Sequence, residues 1–180
     1  MSAATNKIIL LLGGARSGKS AYAQDLARLA GGRVLFCATA EALDGEMQSR
    51  IDKHRKSRPP CWETLEASRD IGRALGQKAS QYDAIIIDCI TILVANVMGD
   101  GTAAEKAESC VNAEILGLSE LLKRRQSNYI LVSNEAGSGL VPDNRLGRLY
   151  RDELGKANQK LAAVSDEVYL LTAGIPLKLK

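Results

Sequence analysis

The chain has 180 residues, 46% of them apolar and 25% charged, with a formal net charge of +3. A single domain of that length buries about 70% of its unfolded surface, so it needs no disulfide or metal staple to fold. The mildly basic balance suits an anionic small substrate, and the lack of a long Lys/Arg run or aromatic-interleaved basic patch argues against nucleic acid.

Cys37, Cys61, Cys89 and Cys110 form no C-x-x-C pair, and His54 is the single histidine. That argues against a zinc site and against a secreted disulfide scaffold. Two of the cysteines adjoin apolar runs and read as buried thiols. The apolar run Ile8 to Leu12 is too short for a signal-peptide core, and no stretch approaches the ~20 apolar residues of a membrane span. A cytoplasmic protein is expected, with residues 1–6 disordered.

In chain order, Lys7–Leu12 reads as a buried strand and Ser20–Ala30 as a helix stopped by Gly31-Gly32. Arg33–Ala38 is a second strand. Ala42–Lys56 carries Leu43, Met47 and Ile51 on one helical stripe and ends at Arg58-Pro59-Pro60. Trp62–Leu65 is extended, and Ser68–Gln81 has an amphipathic helical pattern. Ala84–Ile87 is a short continuous apolar run ending at Asp88, the pattern of a buried parallel strand. Helices follow over Ile90–Val97 and Ala103–Arg125, then a strand at Tyr129–Val132, a loop at Gly137–Pro142 and a helix over Asn144–Val164. Val168–Leu171 and Leu177–Leu179 close the chain as strands. This alternation predicts one α/β domain over residues 1–180, a mostly parallel sheet flanked by helices. Ala173–Pro176 is too short for a crossover, so the C-terminal edge strand is antiparallel.

Gly13-Gly14-Ala15-Arg16-Ser17-Gly18-Lys19-Ser20 matches G-x-x-x-x-G-K-[ST] in full, between a strand and a helix. The glycines let backbone N–H groups curl around phosphate oxygens, and the helix N-terminus adds positive dipole. Lys19 is the mobile cation for the β- and γ-phosphates, and the Ser20 hydroxyl is a ligand for Mg²⁺. The motif makes the fold P-loop NTPase-like. Asp88, at the end of an apolar strand, reads either as a second Mg²⁺ contact or as an N-cap for the next helix.

His54 shares a helical face with Met47 and Ile51, as a core histidine would, yet Lys53, Arg55, Lys56 and Arg58 surround it. Those cations would depress its pKa and keep the imidazole neutral and nucleophilic. A nucleophile, a semi-buried histidine and a solvated basic face remain open on this pattern. Asn134-Glu135 and the loop Gly137-Ser138-Gly139 follow a strand, where α/β sheets bind ligands. Asp143 is the expected N-cap of the helix that follows. Arg145, Arg148 and Arg151 line either an anion-binding or a solvated face.

Taken together, these motifs resemble the bifunctional adenosylcobinamide kinase / adenosylcobinamide-phosphate guanylyltransferase family along nearly the whole chain. The resemblance rests on GGARSGKS, on Arg50-Ile51, His54 and Arg58-Pro59, on Trp62 to Glu66 and on Asp88 to Thr91. Asn134 to Pro142, Asn144 to Asp152, Asn158-Gln159 and the closing AGIP-x-K-x-K complete it. It implies two reactions: phosphorylation of adenosylcobinamide by ATP or GTP, then transfer of GMP from GTP to give adenosylcobinamide-GDP. By the same resemblance His54 is the residue that carries GMP, and Ala38, Thr39, Arg58 and Glu66 join the P-loop and Asp88 as nucleotide contacts. The family also implies a homotrimer with active sites between subunits. Lys53 stands where some relatives carry another histidine. The competing readings are a plain P-loop small-molecule kinase without guanylyltransferase activity and, from a different class, a nucleotide-dependent switch.

Overall fold

The computed structural model describes residues 6–41, 45, 52, 55–56, 58–99 and 104–180. Its elements are β1 (Ile8–Gly13), α1 (Lys19–Ala30), β2 (Val34–Ala38), β3 (Glu63–Glu66), α2 (Ile71–Gly76), β4 (Ala84–Asp88), α3 (Ile90–Met98), α4 (Ala104–Lys123), β5 (Asn128–Val132), α5 (Arg145–Val164), β6 (Glu167–Thr172) and β7 (Ile175–Lys178). The strands form one seven-stranded sheet in the order β3-β2-β4-β5-β1-β6-β7. Every neighbouring pair is parallel except β6 and β7. That last pair turns through Ala173 and Gly174, both at positive φ (52° and 82°), as a tight hairpin requires.

A parallel sheet covered on both sides must be apolar on both faces, and the strands alternate accordingly. Ile8 and Leu10, Ile85 and Ile87, and Tyr129 and Leu131 face a core shared with α2, α3, α4 and α5. Ile9, Leu11, Ile86, Ile130 and Val132 face the opposite core with Ala23 and Ala27 of α1. Each fully buried Ile or Leu contributes roughly 1.5–3 kcal/mol relative to an exposed one.

Some expectations change. The helix expected over Ser68–Gln81 is cut to α2 and a separate 3-10 turn at Ala79–Gln81. Asp70 lies at φ 51° and blocks an earlier start, and the Glu114 carboxylate accepts from the Asp70 and Ile71 N–H groups at 2.8 and 2.9 Å. A Cβ on Gly72 would lie 2.6 Å from the Gly117 carbonyl oxygen, so α2 rests directly on the backbone of α4. The N-cap of α5 is Asn144 rather than Asp143: its side chain accepts from the Gly147 N–H at 2.6 Å. Of the helix expected over Ala42–Lys56, Gly45, Asp52, Arg55 and Lys56 are helical; Leu43, Met47, Ile51 and His54 lie outside the described residues. So do residues 1–5 of the expected disordered start. Asn6 donates from Nδ2 to the Arg125 carbonyl at 2.9 Å and accepts from Arg125 Nη1 at 2.8 Å.

Candidate active site

Parallel strands bring their carboxyl ends to one edge, where α/β sheets bind ligands. Glu66, Ala38, Asp88, Val132 and Leu11 stand in register across that edge. The phosphate loop, Asp88 and the Ser133–Glu135 segment therefore emerge side by side.

The loop Gly13 to Ser20 joins β1 to α1. Gly13 has φ 151°, and a Cβ there would meet the Leu171 carbonyl oxygen at 2.4 Å and Ser17 Oγ at 2.7 Å. Gly18, at φ 96°, turns the chain into α1. Gly14, Ala15 and Arg16 are exposed at the tip, and Ser17 is buried. Lys19 is buried at 7% exposure, and its Nζ donates to the Gly13 and Gly14 carbonyls at 2.9 and 2.6 Å. Burial pulls the Lys19 pKa below the ordinary lysine value, while Cys89 and Asp88 act against that shift.

Asp88 acts on a second cation. Burial lowers the pKa of Arg58, and the Asp88 charge is the leading influence in the other direction. The Arg58 guanidinium stacks 3.6 Å over the Phe36 ring, and its Nη1 donates to Thr64 Oγ1 at 3.3 Å. Among the described residues its buried Nε has no hydrogen-bond partner. Glu66 pairs with Arg55. Arg58, Glu66, Asp88 and Lys19 thus share one rim. His54 lies outside the described residues.

The Thr39 side chain is wholly buried and its hydroxyl serves the protein itself. Oγ1 accepts from the Cys89 N–H and donates to the Cys89 carbonyl, both at 2.8 Å. The Thr39 N–H donates to the Asp88 carbonyl at 3.2 Å. Ala38 in turn accepts from the Ala67 N–H at 3.0 Å. Thr39 is therefore the clamp that fixes Asp88 at the end of β4. Asn96 Nδ2 holds the Thr39 carbonyl at 2.8 Å. The sequence reading missed Asn96, although it is the one side-chain amide in the apolar α3 sequence ITILVANVM.

After β5, the Glu135 carboxylate accepts from the Gly137 and Ser138 N–H groups at 2.8 and 3.0 Å, folding the glycine loop back on itself. Ser138 holds the Glu135 carboxyl below the usual carboxylate range. The three arginines of α5 separate. Arg148 Nη1 donates to the Pro142 and Asp143 carbonyls, Arg145 is exposed, and Arg151 is partly buried near Glu135. They do not make one anion-binding row.

The donor set fits magnesium. Ser20 offers a hydroxyl with no hydrogen-bond partner among the described residues, and Asp88 offers a carboxylate. Mg²⁺ takes few protein oxygens and completes its shell with water and phosphate. Among the described residues no group of three His, Cys, Asp or Glu side chains could hold a metal by itself.

The fold is similar to that of the RadB recombinase, with a TM-score of 0.52 at 14% identity, over 91% of this chain and 73% of that one. Much nearer in sequence are two proteins called bifunctional adenosylcobalamin biosynthesis protein CobU. The one from Salmonella typhimurium is 40% identical and the one from Escherichia coli 38%, each over 96% of this chain and 99% of the relative. A Pseudomonas aeruginosa protein called bifunctional adenosylcobalamin biosynthesis protein CobP is 39% identical over 95% of this chain and 96% of its own. Residues 9–179 match the family described as cobinamide kinase / cobinamide phosphate guanyltransferase, and with the complete phosphate loop facing Asp88 the chain belongs to that family.

Proposed function

We propose that this protein is a two-step transferase of cobalamin biosynthesis. It phosphorylates adenosylcobinamide with ATP or GTP, then transfers GMP from GTP to the new phosphate, yielding adenosylcobinamide-GDP. The observation that carries this reading is the match across residues 9–179 in a chain whose phosphate loop is intact.

In the first step the corrinoid hydroxyl oxygen attacks the γ-phosphorus, the β–γ bridging P–O bond breaks, and a nucleoside diphosphate leaves. Positioning and charge stabilisation supply most of the catalysis, from the loop N–H groups and Lys19. In the second step a neutral His54 nitrogen attacks the α-phosphorus and pyrophosphate leaves. An oxygen of the corrinoid phosphate then attacks that phosphorus, the P–N bond breaks, and the imidazole is restored. Ser20 and Asp88 hold a magnesium ion that neutralises phosphate charge when bound. Arg58, Glu66 and the Ala38-Thr39 strand end lie along the nucleotide. The enzyme works in the cytoplasm as a homotrimer with its active sites between subunits. Among the described residues no helix is long and apolar enough to cross a membrane.

Mass analysis of the products formed from adenosylcobinamide and GTP tests the reading. Wild type is expected to yield adenosylcobinamide-GDP, and His54→Asn to stop at adenosylcobinamide phosphate. Wild type that also stops there would leave a kinase alone.

A further inference from the structure

The strand order places β5 between β4, which ends at Asp88, and β1, which opens into the phosphate loop. Val132 is in register with both Asp88 and Leu11. Whatever follows Val132 therefore emerges between the carboxylate and the loop.

Asn134 occupies that position, and its main chain is fixed from two sides. Its N–H donates to Thr91 Oγ1 at 2.7 Å, on the helix that starts just past Asp88. Its carbonyl accepts from Asn158 Nδ2 at 3.0 Å, on α5. Asn158 is itself set by Ser133 Oγ, which donates to its Oδ1 at 2.7 Å. Thr91 is steadied through its own carbonyl, which accepts from the Tyr150 hydroxyl at 3.1 Å. One residue on, the Glu135 N–H donates at 3.0 Å to the Gly13 carbonyl, the same oxygen that Lys19 Nζ reaches at 2.9 Å.

Four side chains thus immobilise the Asn134 backbone next to the loop. The Asn134 carboxamide itself makes no hydrogen bond among the described residues and is only partly buried. A free donor on a backbone held this firmly is preorganised for a ligand.

We propose that Asn134 donates its Nδ2–H to an oxygen of the terminal phosphate of the bound nucleoside triphosphate and so reads the presence of that phosphate. This rests on the phosphate loop binding the nucleotide, as proposed above. The carboxamide is neutral, so it adds direction at a place where Lys19 already supplies charge.

The test compares binding of GDP and of a non-hydrolysable GTP analogue by calorimetry, with magnesium present, for wild type, Asn134→Ala and Asn134→Asp. Both variants keep the main-chain bonds to Thr91 and Asn158. Asn134→Ala is expected to weaken the GTP analogue about tenfold, as loss of a hydrogen bond to a charged group does. Asn134→Asp is expected to weaken it further by repelling the phosphate, and both should bind GDP as wild type does. An unchanged preference for the triphosphate, or equal losses for both nucleotides, would overturn the assignment. Wild type binding neither nucleotide would instead refute the phosphate-loop reading on which it depends. Thermal melts alongside separate misfolding from altered recognition, and Asn134→Asp, which keeps the side chain's shape, decides the matter if Asn134→Ala is unstable.

Discussion

Thr39 and Lys19 show how differently two residues of one site are written in a sequence. Lys19 sits inside an eight-residue motif whose spacing states its chemistry. The role of Thr39 depends on a partner 50 positions away: its hydroxyl both accepts from and donates to Cys89. No local pattern encodes that pairing, so only the resemblance pointed to Thr39, and as a nucleotide contact rather than as a clamp. Thr39→Val would strand the partly buried Cys89 N–H, at a cost of about 1–3 kcal/mol, while the Cys89 carbonyl keeps the Leu93 N–H as a donor at 3.1 Å. Because Asp88 precedes Cys89, the half-saturating Mg²⁺ for binding a fluorescent GTP analogue should also rise several-fold. Thr39→Ser keeps the hydroxyl and should restore the Mg²⁺ response. Urea melts and a Mg²⁺ titration check both effects, and matching titrations for Val and Ser would dismiss the clamp.

At the scale of elements, the strands were the legible part. β1, β2, β4 and β5 are apolar on both faces, and a run of that kind bounded by glycine or a polar residue has few other uses. Helix ends were less legible because tertiary contacts set them. α2 carries a helical pattern that extends beyond Gly76, but its start is fixed by Glu114 and its seat by the Gly117 backbone. The start of α5 turned on which of two adjacent cap-forming residues, Asp143 or Asn144, reaches a free N–H. Asn144→Ala should destabilise the protein by about 1 kcal/mol, the usual cost of an N-cap, while Asp143→Ala costs much less. Chemical denaturation of the two variants measures the difference, and equal losses would contradict the cap assignment.

For the whole molecule, alternation predicted a parallel sheet, but nothing local revealed that β5 lies between β1 and β4. That order is fixed by long-range packing, and it is what brings Asn134 between Asp88 and the phosphate loop. The opposite, amino-terminal rim is tied by ion pairs. Arg125 holds the Asp166 carboxyl below its ordinary 3.8, and Lys7 holds Glu167 below 4.5. Tyr82, followed by Arg33, does the same for Glu63. A carboxyl with a lowered folded-state pKa contributes stability that is present above its unfolded value and lost as pH falls through the folded one. The urea midpoint should therefore be nearly level from pH 7 to about 5 and decline below about pH 4. Arg125→Met should lower the midpoint at pH 7 and flatten part of the decline, by a modest amount because the pair is about one-third exposed. An unchanged acid slope in that variant would show that the pair contributes nothing.

The most direct measurement concerns His54. After incubation with α-labelled GTP and Mg²⁺, the denatured wild-type chain should carry label that acid removes and base does not, and His54→Asn should carry none. An unlabelled wild-type chain that still binds GTP would contradict the two-step transferase and leave a kinase whose histidine does no chemistry.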